Sequence, residues 1–396
     1  MSAPEPDMTI FDTLSLDQLR TRTSEKWRQY GPDVLPLWVA EMDVPQAEPV
    51  IAAVTDALRR GDTGYPGGRG YAEAFAGFAA DRWGWELDPS KTRMLTDVMI
   101  GITDVLKVLT RAGDTVVVNT PVYPPFYDFV RDTGRVVRAA PLTADHRLDL
   151  AALDEAFVGA TVFLLCNPHN PTGTAHTPAE LVGLADLARR HGVRIVADEI
   201  HAPITSPAAA RELGRPVFTP IVTVPGAENA ISVVSASKAW NLAGLKAALA
   251  IGGPEAVADV AAIAEIADHG ASHLAAIAHA AALTHARGWL DDVLTGIDVN
   301  RAYFTGLLAS RLPDAVVHPA QATYLAWVDC RAVRTAAGDL LGDDPSRAFL
   351  KRGQVAFTSG VPFGAGGEGH VRINLATSRA ILDEAVARMC AALEQA

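Results

Sequence analysis

The stretch "ATVFLLCNPHNPTGTAHTPAELVGLADLARRHGVRIVADEI", residues 160–200, decides the architecture. It opens on a short apolar and β-branched run and breaks at Asn and Pro. An amphipathic stretch, "AELVGLADLARRHG", follows, and a second apolar run, "VRIVADEI", closes it. Short apolar runs bounded by turn residues read as buried strands, and the amphipathic stretch between them reads as a helix. The pattern recurs outward in "DTVVVNTP", "GRVVRAAPL" and "AISVVSAS". Such alternation implies βαβ units and an α/β fold with a large, mostly parallel sheet flanked by helices. Ligands bind beyond the strand ends of such sheets, so the chemistry is expected just after these runs.

From about residue 290 the character changes. A long helix-like stretch, "WLDDVLTGIDVNRAYFTGLLASRL", leads to "ATYLAWVDC", a Gly-rich loop "FGAGGEG", then "HVRINLATS" and a final helix. This reads as a smaller α+β domain. The expected division is residues 56–289 for the large domain, 290–396 for the small one, and an N-terminal segment, 1–55, joined to the small domain.

The chain of 396 residues exceeds what one core usually supports, in keeping with two domains. A net charge of −12, spread along the chain, disfavours nucleic acid and anionic membrane as partners. The start, "MSAPEPDMTIFD", carries no basic segment followed by an apolar core, and charges interrupt every Ala-rich run well before a membrane span is reached. A soluble, cytoplasmic protein is expected. Cys166, Cys330 and Cys390 are too few and too scattered for a disulfide framework or a zinc knuckle.

Three places carry chemistry. In "FLLCNPHNPTG" a strand ends in a turn rich in Asn and Pro, with Gly173 permitting tight geometry. Alone, it reads equally as a plain loop. "VRIVADEIH" delivers Asp198, Glu199 and His201 at a strand end, where a turn could bring Asp198 and His201 together; a buried carboxylate there needs a partner, and a helix cap or ion pair would also serve. In "SASKAWNLAGLK" Lys238 sits among Ala236, Ala239, Trp240 and Leu242. Desolvation lowers a lysine's pKa and frees its amine as a nucleophile, although most single lysines reach solvent. Ser235, Ser237 and Lys246 nearby could hold a phosphate.

Asn170 in "NPHNPTG", Asp198 in "ADEIH" and Lys238 in "SASK", in that order and spacing, resemble the fold type I pyridoxal-phosphate enzymes of the aminotransferase class I/II superfamily. "KWRQYGPDVLPLWVAEMDVP", "TGYPGGRGY", "TPVYPPFY" and "SKAWNLAGLK" are similar to its cystathionine β-lyase, or C–S lyase, branch. The resemblance implies pyridoxal 5'-phosphate as cofactor, a cysteine thioether as substrate, and a homodimer with shared sites. It implies that Lys238 carries the cofactor and serves as base at the substrate Cα, and that Asp198 pairs with the ring nitrogen. Asn170 and His201 would bond the phenolic oxygen, and Tyr123 would stack on the ring. The phosphate would be held by the amides of Val98 and Met99, by Ser235 and Lys246, and by Tyr65 from the partner subunit. Arg372 would clamp the substrate carboxylate, with Asn170, Trp38 and Ala40 completing the substrate wall. Lys246 stands where many aminotransferases have Arg, and Glu41 where relatives often have Asp.

An aminotransferase shares this equipment up to removal of the Cα proton and is the alternative. A regulatory protein keeping the fold is a more distant one. His273, His279 and His285 lie six apart, about 600° around a helix, and share no face for a metal. "GYPGGRG" reads as a turn before a helix and "FGAGGEGH" as a mobile loop near the site.

Overall fold

A computed structural model describes residues 8–394. Residues 1–7 and 395–396 lie outside them, and with them most of the stretch read for a leader and the ends of the expected outer segments. A first short strand, β1 (Leu35–Pro36), precedes the seven strands of the main sheet. These are β2 (Thr92–Leu95), β3 (Thr115–Thr120), β4 (Val136–Pro141), β5 (Val162–Cys166), β6 (Arg194–Asp198), β7 (Ile231–Val234) and β8 (Ala248–Gly252). Their order is β2-β8-β7-β6-β5-β3-β4, with β8 antiparallel to both neighbours and the other pairings parallel.

The apolar runs are continuous because both faces of this sheet are covered. Val116, Val118, Val162, Leu164 and Val196 pack with Ile102, Val105 and Leu106 of the helix Val98–Leu109 on one side. Val117, Phe163, Leu165, Ile195 and Ala197, one residue out of phase, pack with Leu181, Leu184 and Ala188 of the helix Pro178–His191 on the other. That helix starts on a Thr177–Glu180 capping box and stops at Gly192, whose φ of 69° is the left-handed cap.

A helix of 25 residues, Arg287–Arg311, leads to β9 (Val316–Val317), β10 (Leu325–Asp329), β11 (Val355–Ala356), β12 (Thr358–Ser359) and β13 (His370–Asn374). Its first half packs into the core beside the main sheet through Leu290, Val293 and Ile297. Its second half, through Phe304 and Leu308, packs into a separate core with Val371, Ile373, Leu382 and Met389. A four-stranded sheet, β12-β13-β10-β9, forms over that second core, while β1 pairs in parallel with β11. Leu19, Trp27, Leu35 and Leu37 from the N-terminal segment share the same core. Among the described residues no helix is long and apolar enough to cross a membrane.

Candidate active site

The ends of β5, β6 and β7, the N-terminus of the helix Val98–Leu109 and residues of β12 and β13 converge on a cavity of about 440 Å³, within the usual range of small-molecule sites. Lys238, Asp198, Asn170, His201, Tyr123, Val98, Met99, Lys246, Arg372, Trp38 and Ala40 all line it. Ser235 does not. It is buried beneath the wall, where its hydroxyl donates to Ala247 O (2.8 Å) and accepts from the Ser237 N–H (3.1 Å). Tyr65 is not brought there within this chain either: it is 87% exposed, in the loop before the helix Gly70–Trp83.

Strand β6 ends at Asp198, and the chain turns at once, so both Asp198 and His201 reach the cavity. Glu199 goes the other way and accepts the Ile221 N–H at 2.9 Å. Asp198 lies in register with Cys166 of β5 and accepts the Ile200 N–H at 3.0 Å. Burial raises its pKa to about 6, against the opposing pull of Lys238. Burial likewise lowers the His201 imidazole to about 3, helped by Lys238 and Arg372, so the ring is neutral; its Nδ1 is enclosed with no partner.

Lys238 follows β7 and is half-buried, with its amine opening on the cavity. Among the described residues its Nζ has one hydrogen-bond partner, the Ala40 carbonyl at 3.3 Å. Burial, then the Arg372 and Lys246 charges, bring its pKa down to about 8 against the contrary influence of Glu41 and Asp198.

Arg372 lies mid-strand in β13. Its neighbours Val371 and Ile373 enter the small-sheet core, so alternation turns Arg372 to the opposite face, toward the cavity. The guanidinium donates to Asn170 Oδ1 (3.0 Å), Trp38 O (3.2 Å) and Thr358 Oγ1 (3.3 Å), and lies 5.3 Å from the centre of the Phe363 ring. Its Nε has no partner.

The wall segment 38–42 is pinned at every carbonyl. Asn374 Nδ2 donates to Val39 O (2.8 Å) and Glu41 O (2.6 Å), Tyr324 Oη to Ala40 O (2.9 Å), and Asn241 Nδ2 to Met42 O (3.0 Å). "FGAGGEGH", expected to be mobile, is instead fastened: Phe363 O accepts from Val122 N–H (2.9 Å) and Tyr127 Oη (2.7 Å), and Gly369 N–H donates to Asp343 O (2.7 Å). The run of glycines signalled tight turns, and these bonds across the chain left no mark in its composition.

At the helix end of the cavity, Asp97 caps the helix Val98–Leu109 through Oδ1 to the Ile100 N–H (2.8 Å). Its Oδ2 takes Lys246 Nζ at 3.2 Å. The amides of Val98 and Met99 have no acceptor among the described residues, leaving two donors at a helix N-terminus that suits an anion. Sequence reading overlooked Asp97, although an Asp directly before a helical run is a readable cap.

The model of the aminotransferase class I and II family matches residues 32–389. The chain belongs to this family. Its α/β architecture is that of the fold type I pyridoxal-phosphate transferases. Similar proteins share most of its length. It is 51% identical to a Mycobacterium leprae (strain TN) protein provisionally named cystathionine beta-lyase, over 96% of this chain and 98% of that one. It is 34% identical to the cystathionine beta-lyase of Corynebacterium glutamicum, over 96% and 99%. A crystal structure from Corynebacterium diphtheriae, provisionally named a PLP-dependent beta-cystathionase, superposes with a TM-score of 0.86 at 35% identity, covering 98% of this chain and 99% of that one.

The donor set fits pyridoxal phosphate. A nucleophilic amine, a buried carboxylate, an enclosed imidazole nitrogen without a partner and two free amides at a helix N-terminus share one cavity.

Proposed function

We propose that this protein is a pyridoxal-phosphate-dependent carbon–sulfur β-lyase that converts L-cystathionine, or a related cysteine S-conjugate, to pyruvate, ammonia and a thiol. One observation carries the reading: Lys238, Asp198 and Arg372 share a cavity in a chain that matches proteins named cystathionine beta-lyase over nearly its whole length.

Bound in this cavity, the cofactor supplies an electron-withdrawing ring that acidifies the substrate's Cα. Lys238 would hold it and would take the proton from the substrate's Cα; an amine with a pKa of about 8 suits both roles. Asp198 keeps the ring nitrogen protonated, and its pKa of about 6 leaves it ionised at neutral pH. Asn170 and neutral His201 would serve the phenolic oxygen, and Tyr123 would pack against the ring. The Val98 and Met99 amides and Lys246 would hold the phosphate, whereas Ser235, expected to join them, is turned away beneath the wall onto Ala247 and Ser237. Arg372 takes the substrate carboxylate, with Trp38 and Ala40 in the wall. Loss of the Cα proton would let its electron pair form a Cα–Cβ double bond as the Cβ–S bond breaks and the thiolate leaves, and one water would then convert the released three-carbon enamine to pyruvate and ammonia.

The test is turnover of L-cystathionine with no keto acid present, followed as pyruvate. Steady release is expected. A single stoichiometric conversion of the cofactor to its amine form, without pyruvate, would make the protein an aminotransferase.

A homodimer with shared sites is part of the proposal, since Tyr65 can serve a phosphate only in a second copy's cavity. An active monomer in sedimentation would overturn it. A cytoplasmic location, and the division into 1–55, 56–289 and 290–396, are proposed as well. The core shared by the N-terminal segment and the last strands supports grouping the two outer parts.

A further inference from the structure

We propose that Asp97 competes with the cofactor phosphate for Lys246, and so sets how tightly this protein retains pyridoxal phosphate. This rests on the cofactor reading above.

Three groups attract an anion at that end of the cavity: the Val98 amide, the Met99 amide and the Lys246 ammonium. Asp97 acts against all three. Its Oδ1 already occupies the helix N-terminus through Ile100 N–H at 2.8 Å, so the helix dipole is partly compensated before any ligand arrives. Its Oδ2 engages Lys246 Nζ at 3.2 Å, so the Lys246 ammonium is divided between a resident carboxylate and an arriving dianion. Both side chains line the cavity. With Asp97 24% and Lys246 56% exposed, the pair is water-screened and can open; it moderates the phosphate's hold without preventing it. The field of Asp97 also reaches Tyr123 on the neighbouring wall. An uncharged cap would give the helix the same start with no such competition. Asp97 is therefore an affinity-setting residue and touches no reacting atom.

Asp97→Asn isolates the charge, because Asn caps a helix as well as Asp does. Asp97→Ser, also an uncharged cap, gives an independent reading should the first variant misfold. Full-length apoprotein is titrated with pyridoxal phosphate, inorganic phosphate and phosphate-free pyridoxal, with tryptophan fluorescence as the readout. Removal of the charge is expected to tighten pyridoxal phosphate and inorganic phosphate roughly 3- to 10-fold, the scale of a screened ion pair acting on a dianion, and to leave pyridoxal unchanged. In a Lys246→Ala background the gain should shrink, since the shared cation is gone.

Unchanged or weaker phosphate binding in both uncharged variants would overturn the inference and make Asp97 a support for Lys246. Equal tightening of pyridoxal would overturn it too, by removing the phosphate from the effect. A wild-type chain that binds neither pyridoxal phosphate nor pyridoxal would overturn the cofactor reading itself. That failure is distinct from a Kd that ignores residue 97.

Discussion

Arg372 Nη1 donates to Asn170 Oδ1 over 3.0 Å, joining β13 of the small sheet to the turn after β5 across 202 residues of chain. With Nη2 held by Trp38 O and Thr358 Oγ1, the guanidinium plane is fixed before substrate arrives. An orientation set by three different elements is preorganisation, which lowers the cost of binding a carboxylate. Lysine keeps the charge and loses the fork. Arg372→Lys should therefore reduce kcat/KM for L-cystathionine roughly 10- to 100-fold, the value of one or two charge-assisted hydrogen bonds, mainly through KM. Steady-state kinetics check this; an unchanged KM would remove Arg372 from carboxylate binding.

The Lys238 amine should reveal its environment before any turnover. With its pKa lowered to about 8, the neutral fraction rises as pH passes through that value. Capture of pyridoxal phosphate by apoprotein, followed as visible absorbance, should accelerate about tenfold per unit up to pH 8 and then level off. After burial, the Arg372 charge is the largest cause of the depression, so Arg372→Gln should move the midpoint upward. Lys238→Ala should fold and bind cofactor without the absorbance. A midpoint near the ordinary lysine value would contradict the desolvated site.

The N-terminal segment should matter to the site through a buried ion pair. Lys26 Nζ meets Asp43 Oδ2 at 2.7 Å with both side chains 1% exposed, one residue beyond the wall segment 38–42. Removing Lys26 leaves the buried Asp43 carboxylate facing only the looser Arg22 contact, 4.0 Å from its Oδ1 among the described residues. Lys26→Ala should cost about 3–5 kcal/mol in denaturant unfolding and raise KM as the Ala40 wall loosens. A stability change under about 1 kcal/mol would show that Arg22, 4.0 Å from Asp43 Oδ1, carries the pairing without Lys26.

How much of this was legible depended on the range of each interaction. Strands β3, β5, β6 and β7 announce themselves because burial on both faces demands continuous apolar residues. Strand β8, "ALAIG", is Ala-rich and carries little of that signal, and its antiparallel direction is set by pairing with β2 and β7 alone. Asn170, Asp198, Lys238 and Arg372 could be picked out because each stands at a strand end or within a motif. The Asp97–Lys246 pair spans 149 residues and the Arg372–Phe363 contact depends on a loop closing over the guanidinium. Neither leaves a local pattern. Ser235 shows the converse: the motif placed it beside Lys238, yet its hydroxyl is engaged by Ala247 and Ser237.

Glu199 gives the sharpest pH signature. Its neighbour Asp198 faces the cavity, whereas Glu199 is sealed between the Ile221 N–H, which its Oε1 accepts at 2.9 Å, and the Ser232 hydroxyl. Burial raises its pKa to about 8 from an ordinary value of 4.5, so the folded state binds a proton that the unfolded chain has released. Stability from this group is therefore complete below pH 4.5 and is lost as pH rises toward and through 8. Gln has the same shape, keeps an oxygen for the Ile221 N–H and offers an amide to Ser232, with nothing to ionise. Glu199→Gln should match the wild-type Tm at pH 5 and exceed it at pH 8 to 9, with the gap widening between. Melting curves across that range decide the matter: parallel profiles for the two proteins would mean that Glu199 ionises in place, and that the cleft beside Ser232 admits water.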